Sequence, residues 1–173
     1  SIAHAGYMLL GVAVLSDQGI VAIMIYFAVY AFMNLGAFFV VMLIANKTGS
    51  EELDDYKGLG YATPLLGVSL AIFLVSLTGL PPTAGFIGKL YLFIALVDAN
   101  MILVAIIALL NSVVSLYYYI RVLKNLFLVR PIGEPISFTV STANTILLAL
   151  LIIPTLLLGI YFTPLVDFAK NSI

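Results

Sequence analysis

The 173-residue sequence has no cysteine, a single histidine and only 9% charged residues. Without cysteine there can be no disulfide, no thiolate zinc site and no cysteine-ligated iron–sulfur cluster on this chain. The net charge of −1, with no basic patch interleaved with aromatics, excludes nucleic acid as a partner. The sequence also has no glycine-rich phosphate loop and no nucleophile elbow, so it offers no site for hydride transfer or hydrolysis.

Apolar residues make up 64% of the chain, whereas a soluble domain carries about 25% charged residues and covers its core with them. The apolar runs are close to the ~20 residues that cross a ~30 Å hydrocarbon layer. The sequence therefore predicts an all-α, multi-pass integral membrane protein in contact with the lipid bilayer. About five transmembrane segments are expected, at 2–15, 20–45, 64–97 (broken at 80–84), 101–128 and 146–162.

The third segment is interrupted by Pro81 and Pro82, which remove two backbone donors and oppose a continuous helix. Free backbone groups at membrane depth must be buried in protein or line a wet cavity, and transporters use such broken helices at their ion sites. The alternative is an ordinary turn at the membrane interface between two separate spans.

Positive charge favours one broken span. If 64–97 crosses the membrane once, the loops 46–60 and 129–142 lie on the same side and carry most of the lysine and arginine, while the opposite side holds Lys170. Because short cytoplasmic loops collect Lys and Arg, residues 46–60 are expected in the cytoplasm and the C-terminus outside it. Residues 46–60 are expected to form a loop outside the membrane, and its acidic residues Glu51, Glu52, Asp54 and Asp55 are interpreted as a solvated connection.

Lys89 follows the double proline and sits, with Gly85 and Gly88, inside the apolar layer of a single broken span. A lysine at membrane depth is costly and normally faces a protein interior or water, where it can serve as a switchable proton site. The alternative is a lysine that snorkels to the interface from a short helix.

His4 is the only histidine, and Tyr7 lies one helical step away at i+3. An imidazole titrates near neutral pH and suits proton relay. A lone histidine is also commonly a hydrogen-bonded packing residue, and no second ligand for a metal is visible.

Further polar residues lie within apolar segments. Asn111, Ser115 and Tyr118 are spaced as one helical stripe, and Asn34 lies near the middle of its segment. These residues could line a hydrated proton path, or they could bond neighbouring helices to one another, as small polar residues do in membranes. Residues 117–119, three tyrosines followed by basic residues, are typical of an interfacial aromatic belt.

Several motifs resemble one family. Residues 1–7 (SIAHAGY) are similar to the "SISHxGY" helix start, and residues 77–89 (LTGLPPTAGFIGK) to the "LxGxPPxxGFxGK" broken helix, of the antiporter-like proton-pumping subunits of respiratory complex I (NADH:quinone oxidoreductase) and related cation/proton antiporters. Residues 54–60 (DDYKGLG) and 115–122 (SLYYYIRV) resemble more narrowly subunit N, the bacterial counterpart of mitochondrial subunit 2.

The resemblance implies a fourteen-helix, inverted-repeat antiporter-like fold, of which this chain supplies the C-terminal part. By this likeness Lys89 matches the terminal lysine of the central hydrophilic axis, and His4 a histidine along it. NADH, FMN, iron–sulfur clusters and quinone are then expected on other subunits, with no cofactor or metal on this chain. The partners would be other membrane subunits of the complex, in the bacterial inner membrane. The start at Ser1, inside an apolar run, also suggests part of a longer protein.

The leading hypothesis is a membrane subunit that translocates protons while electrons pass from NADH to quinone elsewhere in the complex. One alternative is a subunit of a multisubunit sodium/proton antiporter or of a membrane-bound hydrogenase. Another is a membrane scaffold that translocates nothing. The gene neighbourhood would separate the first two, and the activity of a Lys89 variant would separate both from the scaffold.

Overall fold

The computed structural model describes residues 1–130 and 137–173, whose regular structure is helical. The helical membrane class predicted from the sequence is therefore the observed one. Within the described ranges, three helices are each long and apolar enough to cross a bilayer: Asp17–Thr48, Ile102–Phe127 and Thr142–Ile160. The helices are α1 (Ile2–Ala13), α2 (Asp17–Thr48), α3 (Leu59–Ala62), α4 (Pro64–Thr78), α5 (Ala84–Asp98), α6 (Ile102–Phe127), α7 (Thr142–Ile160) and α8 (Thr163–Lys170), with a 3₁₀ turn at Leu53–Tyr56.

Capping residues extend the helices beyond the apolar runs. The Ser16 hydroxyl accepts the Gly19 N–H, so α2 begins three residues before the predicted segment. At its other end, α2 continues to Thr48 and stops at Gly49, which has a φ of +72°. Ser141 caps α7 in the same way, so this helix begins four residues earlier than predicted. Side-chain caps satisfy the free N–H groups of a first turn, which hydrophobicity alone does not show.

Helix α2 is the spine of the bundle, and α4 and α5 lie along it one after the other. On the C-terminal half of α2, Gly36 lies against the Phe73 ring of α4; on the N-terminal half, Tyr26 lies against Gly88 of α5. Both α4 and α5 run antiparallel to α2. At 1.5 Å per residue, α2 is about 48 Å long. The two helices therefore form one interrupted column, not a side-by-side hairpin.

The segment between α2 and α4 folds back onto the end of α6. The Gly58 N–H donates to the Asn125 carbonyl at 3.1 Å, and the Asn125 amide donates to the Leu53 carbonyl at 3.1 Å. Tyr56 is buried beneath these bonds, while residues 51–52 are exposed. Glu51, Glu52 and Asp54 of this segment are exposed, whereas Tyr56 and Leu59 are buried in the core, which the sequence did not indicate.

Helix α8 was missed in the sequence, because eight residues are too few to form a recognisable apolar run. It is amphipathic, and Val166 and Ala169 pack against Val21 and Ile25 of α2. The polar loop expected at 130–142 falls partly on residues 131–136, which lie outside the described residues.

Candidate functional site

The column of α4 and α5 breaks at a turn over residues 79–83. Gly79 ends α4 in the left-handed conformation, with a φ of +86°, which glycine adopts without the steric cost of a side chain. The Thr83 hydroxyl and N–H both donate to the Leu80 carbonyl, at 2.7 and 3.2 Å, and close the turn. The Pro81–Pro82 peptide inside the turn is cis.

Two of the glycines noted at the break allow close packing around it. A Cβ on Gly85 would collide with the Ser76 carbonyl oxygen, and the Gly85 N–H donates to the Ser76 hydroxyl at 3.1 Å. A Cβ on Gly88 would lie 2.7 Å from the Tyr26 ring of α2. The first turn of α5 thus lies directly beside the last turn of α4.

Lys89 turns back from α5 towards the open end of α4. Its side chain is 4% exposed, and Nζ donates to the carbonyls of Leu77 and Thr78 at 3.2 and 2.7 Å and to the Ser112 hydroxyl at 2.8 Å. Three acceptors match the three N–H donors of an ammonium, and the C-terminal end of a helix attracts positive charge. These four residues are called the lysine cluster below. The ammonium points inward, not to the exposed position that snorkelling requires.

Dipoles, and not a carboxylate, face the Lys89 ammonium. Over residues 1–130 and 137–173, the one ion pair is that of Lys57 with Asp54 at the surface, 2.8 Å apart. Carbonyl and hydroxyl oxygens stabilise a cation, yet they leave no buried anion unpaired when the proton departs. Such surroundings suit a group that alternates between charged and neutral forms.

His4 forms a second cluster with two tyrosines on other helices. Nδ1 lies 2.7 Å from the Tyr26 hydroxyl of α2, and Nε2 lies 3.0 Å from the Tyr119 hydroxyl of α6. The Tyr30 ring stacks on the imidazole at a centroid distance of 5.1 Å. A neutral imidazole has one donor and one acceptor nitrogen, and a hydroxyl can serve either. These four residues are called the histidine cluster.

The ring of Tyr7 lies close to both clusters. Its ring centroid is 4.9 Å from Lys89 Nζ and 6.2 Å from the His4 ring. Its hydroxyl donates to the Ala108 carbonyl of α6 at 2.9 Å. The i+3 spacing in the sequence therefore brings the rings of His4 and Tyr7 together, not their polar atoms.

The polar stripe predicted on α6 bonds along its own helix. Ser115 donates to the Asn111 carbonyl at 3.0 Å, and the Tyr118 hydroxyl donates to Ser115 at 2.9 Å. The Asn111 side chain is exposed in a groove between α1 and α6, and Asn34 on α2 is partly buried. That these four residues line a proton path stays a prediction. The residue of α6 that contacts Lys89 is Ser112.

The predicted aromatic belt at 117–119 divides between two environments. Tyr117 is 75% exposed, as expected of a belt residue. Tyr119 instead turns inward to His4, so the belt interpretation was wrong for this residue. Sequence reasoning also missed Tyr26 and Ser112, since nothing local marks which face of a helix meets another segment.

The two clusters place a buried amine and a buried imidazole in an apolar bundle, which suits proton uptake and release. Across the described residues, no group of three or more His, Asp or Glu side chains is placed to hold a metal ion. Both imidazole nitrogens already have hydroxyl partners.

Known proteins match this chain in sequence. Residues 1–115 match the family described as "NADH:quinone oxidoreductase/Mrp antiporter, TM". The whole chain is 51% identical to NADH-quinone oxidoreductase subunit N 2 of Chloroherpeton thalassium, and 99% of it is 49% identical to subunit N of Chlorobium chlorochromatii. The chain spans 34% of each of these relatives, about a third of their length.

Solved structures match in fold. A chain of respiratory complex I from Thermus thermophilus with bound aureothin superposes with a TM-score of 0.76 at 28% identity, over 96% of this chain and 37% of that one. A chain of the Mrp complex from Dietzia sp. DQ12-45-1b superposes with a TM-score of 0.89 at 24% identity, over 98% and 40%. In agreement with the motifs in its sequence, the chain belongs to the NADH:quinone oxidoreductase/Mrp antiporter family of transmembrane proteins.

Proposed function

We propose that this chain is the C-terminal part of a proton-translocating membrane subunit of NADH:quinone oxidoreductase, most like subunit N, and that Lys89 carries the proton. The observation that carries this proposal is the buried Lys89 ammonium, held at a helix break by two backbone carbonyls and one hydroxyl. The curated relatives at 51% and 49% identity bear the name of this subunit.

The break gives Lys89 its chemistry. When α4 ends at Thr78, the carbonyls of its last turn lose their partners in the helix, and the lysine supplies N–H donors to two of them. Protonated, Lys89 has an N–H donor for each of its three acceptors; neutral, it keeps two, so one acceptor must turn to water or to another donor. Protonation of the Lys89 amine is thereby coupled to the hydration of the break. A change of charge elsewhere in the complex can shift this protonation equilibrium.

His4 is the second proton site in this proposal. Its imidazole is buried, and hydroxyls flank both nitrogens. An imidazole with a hydroxyl on each side can accept a proton at one nitrogen and release one at the other. Tyr26 and Tyr119 would fix the ring orientation that this exchange requires.

The proposal places redox chemistry on other subunits, with NADH, FMN, iron–sulfur clusters and quinone bound there and none on this chain. Helices α6 and α7 expose many large apolar side chains, among them Leu103, Val114 and Ile153. Such surfaces suit lipid and further transmembrane helices. We place the protein in the bacterial inner membrane, with other membrane subunits of the complex as its partners.

The other functions considered have weaker support. The Mrp complex shares the fold, but at 24% identity, and the relatives near 50% identity are named as NADH-quinone oxidoreductase subunits. A scaffold that translocates nothing would not need a buried lysine without a carboxylate partner, which is costly in a membrane.

The test is proton pumping by the assembled complex with Lys89→Met, which keeps approximate length and removes the charge. Pumping per NADH oxidised should fall severely, while Lys170→Met, at an exposed position on α8, should pump normally. Lys89→Arg retains the charge but cannot release a proton. The Lys89→Arg complex should therefore also fail to pump if residue 89 must exchange its proton. Normal pumping by an assembled Lys89→Met complex would remove the carrier role.

A further inference from the structure

The lysine and histidine clusters are neighbours, yet over residues 1–130 and 137–173 no direct hydrogen bond joins them. The ring of Tyr7, whose side chain is 2% exposed, lies close to both. Its centroid lies 4.9 Å from Lys89 Nζ, 6.2 Å from the His4 ring and 6.0 Å from the Tyr26 ring. One aromatic side chain thus contacts both proposed proton sites.

The hydroxyl of Tyr7 is directed towards α6. It donates to the Ala108 carbonyl at 2.9 Å, on the face of α6 that packs against α1. A hydroxyl held in this way cannot also donate to His4, and Lys89 faces the ring, not the oxygen. The bond to Ala108 fixes where the ring lies.

An aromatic face attracts an ammonium but offers no exchangeable proton. The attraction of a cation to the ring strengthens when the pair is removed from water, so Tyr7 holds Lys89 in its protonated form. Proton transfer requires hydrogen-bonded neighbours or a bridging water, and an aromatic ring is neither.

We propose that Tyr7 is a positioning residue that separates the two proton sites: its ring holds the Lys89 ammonium and keeps a direct water path from forming between Lys89 and His4. The proposal rests on the proposed function and adds to it a barrier. When Lys89 loses its proton, the attraction to the ring is lost, and the ring is then freer to move and admit water.

A purely structural role for Tyr7 predicts a different result. If the ring only fills space, any variant that assembles should pump normally and should not leak. If the ring is a barrier, its removal should let protons pass between the sites without electron transfer. Passive proton conductance separates these cases, because packing alone does not change it in an assembled complex.

The experiment compares Tyr7→Leu, Tyr7→Phe and Lys89→Met in the complete complex, reconstituted in proteoliposomes. Tyr61→Leu, at an exposed tyrosine in α3, is the control. The readouts are protons pumped per NADH oxidised and proton conductance without NADH under an imposed potential, both per assembled complex. Tyr7→Leu should raise the conductance severalfold and lower the pumping ratio while NADH oxidation continues. Tyr7→Phe should lie between Tyr7→Leu and the unchanged protein, because it keeps the ring and loses the bond to Ala108.

Two outcomes would overturn the barrier. One is a Tyr7→Leu complex with the conductance and pumping ratio of the unchanged protein. The other, decisive if Tyr7→Leu does not assemble, is a Tyr7→Phe complex that pumps as poorly as Lys89→Met without any rise in conductance, since the loss of pumping would then not be a leak. If Lys89→Met pumps normally, the proposed function fails; if Lys89→Met fails and Tyr7→Leu behaves normally, only the barrier fails.

Discussion

The backbone of Gly79 and the side chain of Lys89 share one small space at the helix break. A Cβ on Gly79 would lie 2.7 Å from Lys89 Cδ and 3.3 Å from Nζ. The absent side chain at Gly79 is thus what lets the lysine reach the end of α4.

Gly79→Ala should lower proton pumping strongly, while its effect on the stability of the complex should be small. An L-residue in the left-handed conformation costs roughly 1–2 kcal/mol, and at this position the new methyl group also displaces the lysine. Gly49→Ala is a matched control, because Gly49 has a similar φ of +72° and nothing within 4 Å of its would-be Cβ. Complex yield and pumping ratio are measured for both. Equal pumping by the two variants would show that the shared space has no functional importance.

Ser112→Ala should slow proton translocation while the complex still assembles. The Ser112 hydroxyl accepts from Lys89 at 2.8 Å and lies 3.3 Å from the Thr78 carbonyl. Loss of a hydrogen bond to a charged group costs about 1.5–3 kcal/mol, and here the loss falls mainly on the protonated lysine. Ser69→Ala is the control, since Ser69 is also buried but bonds the Leu65 carbonyl of its own helix. A Ser112→Ala complex as active as Ser69→Ala would contradict this prediction.

The lysine and the break could be found from the sequence, but their partners could not. Pro81, Pro82 and Lys89 are conspicuous in an apolar segment because each is costly there. Ser112 is one residue from Asn111, the start of the predicted stripe, and neighbouring helical residues point about 100° apart. Choosing between these faces requires knowing how α6 packs against α5, which one helix cannot show.

Tyr26 and Tyr119 were hidden for the same reason. They lie 22 and 115 residues from His4 in sequence, and the local pattern around Tyr119 is typical of a membrane interface. The caps at Ser16, Gly49 and Ser141 extend α2 and α7 beyond the apolar runs at 20–45 and 146–162, and hydrophobicity alone does not show them.

Tyr119→Phe should weaken the relay role of His4. The change removes the hydroxyl 3.0 Å from Nε2 and keeps the ring, so the imidazole loses one of its two proton partners. NADH-driven pumping should fall, with near-normal assembly, because one buried hydrogen bond contributes only about 1 kcal/mol. Tyr117→Phe, at an exposed tyrosine on the same helix, controls for loss of a phenol. If the two variants pump equally well, the Tyr119 bond is structural only.

The membrane orientation can be tested with introduced cysteines, because the chain has none of its own. One end of the bundle carries Lys47, Lys57, Lys124 and Arg130. At the opposite end the Gln18 amide donates to the Asp98 carboxylate at 2.7 Å, and α8 follows there with Lys170. Because cytoplasmic loops collect positive charge, the first end is expected in the cytoplasm.

A cysteine at Glu52, which is exposed between α2 and α4, should therefore resist a membrane-impermeant thiol reagent added to intact bacterial cells. A cysteine at Ser172, also exposed, should react. Both should react in permeabilised cells, which controls for thiols that are merely hidden by neighbouring subunits. The prediction depends on α4 and α5 crossing once as a broken column, since two full crossings would place residues 52 and 172 on the same side. Labelling of both positions in intact cells, or of residue 52 alone, would contradict the predicted topology.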